Sequence, residues 1–221
     1  MIDKCGRVLL AIDAAVAGGS AALSIDGKIT ASISTKGQSS YRAENMLSQI
    51  EGLLASADLD PKSITDVVVS AGPGSFTGIR IGLSTGLGLC RGSSAQMAKI
   101  PLMAAMAAGS LTSRPEILVP MGRGGVCSQS FDVSSSSIVP TSDPHILEFS
   151  DLRVYLSSAS REFVVLSADL IETSGDLSVG CEITVLSATP AELLLNAFGD
   201  SRIPHDSPAI FISKESTRSA E

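Results

Sequence analysis

The chain reads as an α/β protein built in two halves, and three observations say so. Short aliphatic or β-branched runs alternate along the sequence with segments of helical periodicity, so strands and helices interleave. A glycine-rich turn, Gly72-Pro73-Gly74-Ser75-Phe76-Thr77-Gly78, joins one such run directly to a helix. The charge is unevenly divided. Residues 1–112 hold 9 basic and 8 acidic side chains (+1), and residues 113–221 hold 7 and 15 (−8), which together give the net −7 of the 221-residue chain. We expect an N-terminal α/β subdomain over 1–112 and a C-terminal one over 113–221, with the boundary at Arg114-Pro115.

Val8-Leu9-Leu10-Ala11-Ile12-Asp13 predicts a buried strand ending in a carboxylate. Gly18-Gly19 turns the chain into a strand over Ser20–Ile25, and Asp26-Gly27 is a hairpin turn. Lys28–Thr35 alternates Ile29, Ala31 and Ile33 with Thr30, Ser32 and Ser34, which predicts a half-buried third strand and three sequential antiparallel strands in all. Tyr41–Ala57 is the cleanest helix, because Met46, Leu47, Ile50, Leu53, Leu54 and Ala57 recur at helical spacing. Asp60-Pro61 stops it, and Ile64–Ser70 is a strand with Val67-Val68-Val69 at its centre. Thr77 is the expected N-cap of a helix over Ile79–Arg91. Lys99–Met103 predicts a short strand and Leu102–Thr112 an alanine-rich helix.

Beyond the boundary, strands are expected at Ile117–Pro120 and Val126–Val133, with Gly122–Gly125 as the turn between them and Ser134–Ser137 as a hairpin tip. Weak strands at Ile138–Pro140 and His145–Phe149 precede a helix over Asp151–Ser158. Phe163–Ala168 and Ile183–Ser187 read as strands. Thr189-Pro190 opens a helix that runs to Phe198 and ends at Gly199. Ile210–Ile212 is a last short strand before a polar tail. The second half echoes the element order of the first without a repeat at the level of residues.

Apolar residues make up 44 % of the chain and aromatic ones 4 %, with no tryptophan, so the core is aliphatic and alanine-rich. Cysteines 5, 90, 127 and 181 have neither CxxC nor metal-ligand spacing, which predicts free thiols in a reducing cytoplasm. No apolar run reaches the ~20 residues that span a bilayer, and Asp3, Lys4 and Arg7 break any signal-peptide pattern. The acidic half is a poor ligand for phosphate backbones.

Candidate chemistry is sparse. A glycine-rich strand-to-helix turn can hold an anion on its backbone amides, which nominates Gly72, Gly74 and Ser75, with Asp13 at the end of the first strand as a companion. The turn lacks the lysine of a P-loop and does not match G-x-G-x-x-G, so the alternative is a tight turn whose glycines serve backbone geometry. Only His145 and His205 are present, no G-x-S-x-G elbow exists, and nothing nominates a base for Ser75. That scarcity argues for a binding or scaffolding role without metal. Gly78, Gly82 and Gly86 recur every four residues and so form one stripe of their helix. An interior glycine costs a helix about 1 kcal/mol relative to alanine, and close approach of another backbone would offset that. The backbone belongs either to the chain's own sheet or to a helix of a second subunit.

Two stretches, Leu10-Ala11-Ile12-Asp13-Ala14-Ala15 and Ala71-Gly72-Pro73-Gly74-Ser75-Phe76-Thr77-Gly78-Ile79-Arg80-Ile81-Gly82-Leu83, resemble the TsaB family, also called YeaZ. The resemblance covers roughly residues 8–112. It implies two subdomains of the actin, sugar-kinase and heat-shock ATPase type with a ribonuclease H-like motif, the second divergent. It implies a non-catalytic subunit that pairs with TsaD, is joined by the ATPase TsaE, and supports threonylcarbamoyl transfer to the adenosine next to the tRNA anticodon. ATP is used by the partner complex, tRNA is met only through the complex, and a homodimer is a second mode of association. The family's dimer surface lies on its first two helices, here Tyr41–Ala57 and Gly78–Arg91, so the resemblance nominates Met46, Ile50, Leu53, Gly78, Arg80, Gly82, Leu83 and Gly86 as partner-binding. On that reading Gly82→Leu would spare the fold and abolish association. The chain departs from the family pattern at Ala14 (usually Thr), at Tyr41 (usually His) and over Met121–Ser128, where only Arg123 of an Asp-Ala-Arg run survives. The alternative is a stand-alone nucleotide-dependent kinase or hydrolase of the same superfamily; a peptidase lacks a visible dyad.

Overall fold

The computed structural model describes residues 6–16, 18–34, 45–122, 125–158, 162–172 and 181–212. Tyr41, Arg123 and the tail from Ser213 lie outside the described residues.

Strand β1 (Val8–Asp13) is buried along its whole length. It pairs antiparallel with β2 (Ser20–Ile25), which pairs antiparallel with β3 (Lys28–Ser34) across the Asp26-Gly27 turn. Asp26 at φ 51° and Gly27 at φ 80° supply the left-handed pair that a tight hairpin needs. On its other edge β1 pairs parallel with β4 (Asp66–Ser70), and β4 with β5 (Gln96–Ile100), giving the order β3-β2-β1-β4-β5. Helix α1 (Met46–Ser56) connects β3 to β4, α2 (Phe76–Ser93) connects β4 to β5, and α3 (Leu102–Gly109) follows.

The second sheet repeats this plan. β6 (Pro115–Pro120) pairs antiparallel with β7 (Val126–Val133), and β7 with β8 (Ile138–Pro140) and β9 (His145–Leu147). β10 (Glu162–Val165) pairs parallel with β6, and β11 (Glu182–Val185) parallel with β10. The order is β11-β10-β6-β7-β8, with β6 in the place of β1 and β10 in the place of β4. Helix α4 (Phe149–Ser158) follows β9, the four-residue α5 (Asp169–Glu172) follows β10, and α6 (Pro190–Phe198) follows β11.

Alternation along β1 sorts the layers. Leu10 and Ile12 share an apolar cluster with Met46, Ile50, Leu53 and Leu54 of α1, and with half-buried Ile81, Leu83 and Leu89 of α2. Leu9 and Ala11 point the other way, into a cluster with Met103 and Met106 of α3, Leu193 and Leu194 of α6, and Ile117 and Val119 of β6. Leu118, Phe163 and Val165 face outward from the second sheet against Leu152 and Leu156 of α4 and Leu170 of α5. Five layers result: α1 and α2, the first sheet, α3 and α6, the second sheet, α4 and α5. Helix α6 follows the second sheet in sequence and packs on the first. Its Ala191 amide donates to Ser20 Oγ at 3.1 Å, and Ser32 Oγ donates to Glu192 at 2.6 Å.

Several expected boundaries shift. Ser75, not Thr77, caps α2, its hydroxyl accepting from the Gly78 amide at 3.4 Å, so the helix starts at Phe76. The short strand before α3 begins at Gln96, and α3 ends at Gly109 rather than Thr112. Ile210–Ile212 forms no ladder. The C-terminal segment instead lies beside β5, with Lys99 N donating to His205 O at 2.8 Å, Ser207 N to Lys99 O at 3.1 Å, and Ile210 N to Ala71 O at 2.7 Å. The Thr189-Pro190 start of α6 holds, and Glu192 completes a capping box with Thr189.

Candidate functional site

β1 and β4 are parallel neighbours, so Asp13 and the 72–78 turn emerge at the same end of the sheet, beyond the strands' C-termini. Asp13 has 0 % exposure. Its Oδ2 accepts from the Val16 amide at 3.1 Å, while Oδ1 has no hydrogen-bond partner among the described residues. Burial raises its pKa to about 6 from the ordinary carboxylate value.

The turn above it is closed. Ser75 N donates to the Ala15 carbonyl at 2.9 Å. A Cβ on Gly74 would stand 2.7 Å from Ala15 O, and one on Gly78 would overlap the Ala14 carbonyl. The glycines here let two segments of backbone touch: the start of α2 and the exit of β1. An open anion cradle needs outward-facing amides and a route to solvent. Gly72 and Gly74 are buried, Ser75 is spent on its cap, and Asp13 is sealed, so these residues do not fit a nucleotide phosphate or its metal. Among the described residues no group of three His, Cys, Asp or Glu side chains could hold a metal ion.

The glycine stripe faces inward as well. Gly78, Gly82 and Gly86 are buried. A Cβ on Gly82 would meet Val69 Cγ1 at 3.5 Å and Ala14 Cβ at 3.7 Å, and one on Gly86 would meet Val69 Cγ2 at 2.6 Å. The stripe seats α2 on β4 and the end of β1, which corrects its assignment to a second subunit. Met46, Ile50 and Leu53, at 1 %, 1 % and 7 % exposure, are likewise in the chain's own core. Leu83 is half-buried in that core, and Arg80 alone of the eight nominated residues is exposed.

The outward sides of these two helices carry different residues. On α1 they are Leu47, Ser48, Glu51, Gly52 and Ala55; on α2, Arg80, Ser84, Leu87, Gly88 and Arg91. A Cβ added to Gly52 or Gly88 meets nothing within 4 Å. Sequence reasoning missed this second set of small residues. Its signal was present: Ser84 and Gly88 are four apart, and Gly88 is two positions, about 200°, around the helix from Gly86.

At the start of α2 the Phe76 side chain is 58 % exposed. Its ring lies 5.0 Å from that of Phe211, itself 49 % exposed, and the Arg80 guanidinium stands 5.5 Å over it. A concavity of about 360 Å³ beside it is lined by Thr77, Arg80, Ile81, Ser84 and Thr85.

His145 packs edge-on to Tyr155 and His205 stacks on Phe198. Tyr155 and Ser128 both donate to Oε1 of the buried Glu116, a network enclosed between α4 and the second sheet. No helix is long and apolar enough to cross a membrane, among the described residues.

Comparison with known proteins fits this geometry. Residues 33–128 match the family model of TsaD, tRNA N6-adenosine threonylcarbamoyltransferase. Among solved structures, a Pseudomonas aeruginosa protein described as similar to peptidase YEAZ superposes with a TM-score of 0.66 at 17 % identity, over 94 % of this chain and 100 % of that one. YeaZ from the same organism gives 0.65 at 17 % identity, over 93 % and 100 %. These matches show a shared α/β fold, built in this chain on two sheets of like strand order. Comparison with curated proteins gives no match.

Proposed function

We infer, from the TsaB/YeaZ family assignment that the TsaD-family match and the YeaZ fold together support, that this chain is a non-catalytic partner subunit of a TsaD-type transferase. Its process is N6-threonylcarbamoyladenosine formation on tRNA. The observation that carries the non-catalytic part is the closed β4–α2 turn. Where a phosphate-binding relative needs open amides, here the Ser75 amide is bonded to Ala15 and Asp13 is enclosed.

Docking falls to the outward sides of α1 and α2. Ser48, Gly52 and Ala55 on one helix and Ser84 and Gly88 on the other give low relief, and exposed Leu47 and Leu87 supply apolar area. Backbones approach closely where side chains are small, so a partner helix fits this face. The chain then supplies surface while TsaD and the ATPase TsaE supply chemistry, ATP is spent by the complex, and tRNA is met through it. A homodimer would use the same face. Such a subunit works in the cytoplasm, with its tRNA.

The test is to mix the full chain with the TsaD-type subunit of the same genome and follow co-elution by light scattering. A 1:1 complex is expected. Gly88→Leu, a substitution into open space, is expected to break it without lowering the melting temperature. Absence of a complex with the wild-type chain would remove the reading. Tight binding of magnesium ATP by the chain alone, measured by calorimetry, would move it to the nucleotide-dependent enzyme.

A further inference from the structure

We propose that Phe76, Arg80 and Phe211 form a single docking anchor that takes an acidic side chain of the partner subunit, so that the C-terminal segment of this chain is part of the interface. The inference rests on the subunit reading above and goes beyond it by naming the anchor and the chemistry it selects.

The cluster joins the start of α2 to the C-terminal segment. Phe76 opens α2, and Phe211 is brought to it by the segment that runs along β5 and closes on Ala71 through the Ile210 amide. Two half-exposed rings at the head of the docking helix leave apolar surface uncovered. Aromatic residues and arginine are the types that dominate interface energetics, and they do so when a partner excludes water from them.

Charge selects the occupant. Among the described residues Arg80 makes no ion pair; its contact is with the Phe76 ring. Helix α2 contains no carboxylate, and its two charges are Arg80 and Arg91, both exposed, on a chain of net charge −7. The outward side of α2 is therefore a positive strip on an acidic protein. Beside Arg80 the concavity is lined by three hydroxyl-bearing residues, Thr77, Ser84 and Thr85. A guanidinium flanked by hydroxyl donors matches a carboxylate, and the adjoining rings match an apolar neighbour. In a symmetric pair of this chain the same face would meet itself, and α2 has no carboxylate to offer Arg80, so an acidic segment of a different subunit is favoured.

The experiment measures affinity of the full chain for the TsaD-type subunit, with Arg80→Ala and Phe211→Ala as variants and Gly88→Leu as the face control. Arg80→Ala and Phe211→Ala are each expected to weaken binding at least tenfold with unchanged melting curves. Arg80→Ala is also expected to flatten the salt dependence of binding, which loss of packing alone would leave intact. If Phe211→Ala alters the melt, Phe211→Leu and the salt response of Arg80→Ala carry the decision. Binding within twofold of wild type for both variants, with Gly88→Leu still defective, would overturn the anchor and leave the subunit reading standing. No binding by the wild-type chain would overturn both. A homodimer that depends on Arg80 and Phe211 would overturn the acidic-partner assignment.

Discussion

The Ser75 amide donates to the Ala15 carbonyl across 2.9 Å. That bond pins the head of α2 to the exit of β1, and it fixes what both segments can do. The amide is no longer available to an anion, and the helix is seated so deeply that Gly78, Gly82 and Gly86 meet the chain's own backbone and valines.

Substitution along α2 should therefore split by side. Gly78→Ala places a methyl into the Ala14 carbonyl and should cost about 2–4 kcal/mol, within the range of severe overpacking. Gly82→Leu should also destabilise, because a leucine has no room between the helix and Val69. Gly88→Ala meets open space and should gain about 0.5–1 kcal/mol from helix propensity alone. Urea denaturation of the three variants measures this; equal effects at the three positions would contradict the seating.

Asp13 should make stability pH-dependent in an unusual direction. Its pKa in the folded chain is raised to about 6, above the unfolded value of 3.8, so the native state holds the extra proton between them. The stability this contributes is full below about pH 4 and is lost as pH rises through about 6, a decline on the order of 1–3 kcal/mol. Asp13→Asn should remove that slope and raise stability at pH 7. Melting temperatures of both proteins across pH 4–8 give the comparison.

Cysteine reactivity should follow burial. Cys127 is buried and its thiol is pushed up to about 12 by desolvation, while Cys90 and Cys181 are half-buried. Of these three, alkylation under native conditions followed by mass spectrometry should find Cys127 unmodified until the chain unfolds. Labelling of Cys127 at the rate of Cys181 would contradict its placement.

Thr189→Ala should cost about 1 kcal/mol by removing a helix cap. The lost stability should be global rather than local, because α6 packs on the first sheet while following the second in sequence. Hydrogen exchange should show β1 and α6 opening together in the variant; protection lost from α6 alone would contradict the shared core.

Much of this was legible in the residues. Val67-Val68-Val69, the Asp26-Gly27 turn, the helical spacing of Met46, Ile50, Leu53 and Leu54, and the Thr189-Pro190 cap each specify a local conformation through short-range sterics and periodicity. Elements with little periodicity were not legible, such as four-residue α5 and the C-terminal segment held by three backbone bonds.

By itself the sequence determined most of the strands and the longer helices, because propensity, turns and caps act within a few residues. It also determined that α2 carries a stripe bare of side chains. Only tertiary structure decided which way that stripe faces. Periodicity places residues on a common side of a helix and cannot say what lies opposite it; that depends on β1 and β4 pairing in parallel and carrying Ala14 and Val69 beneath the glycines. The same long-range pairing sealed Asp13, and it brought Phe211 from the far end of the chain to Phe76.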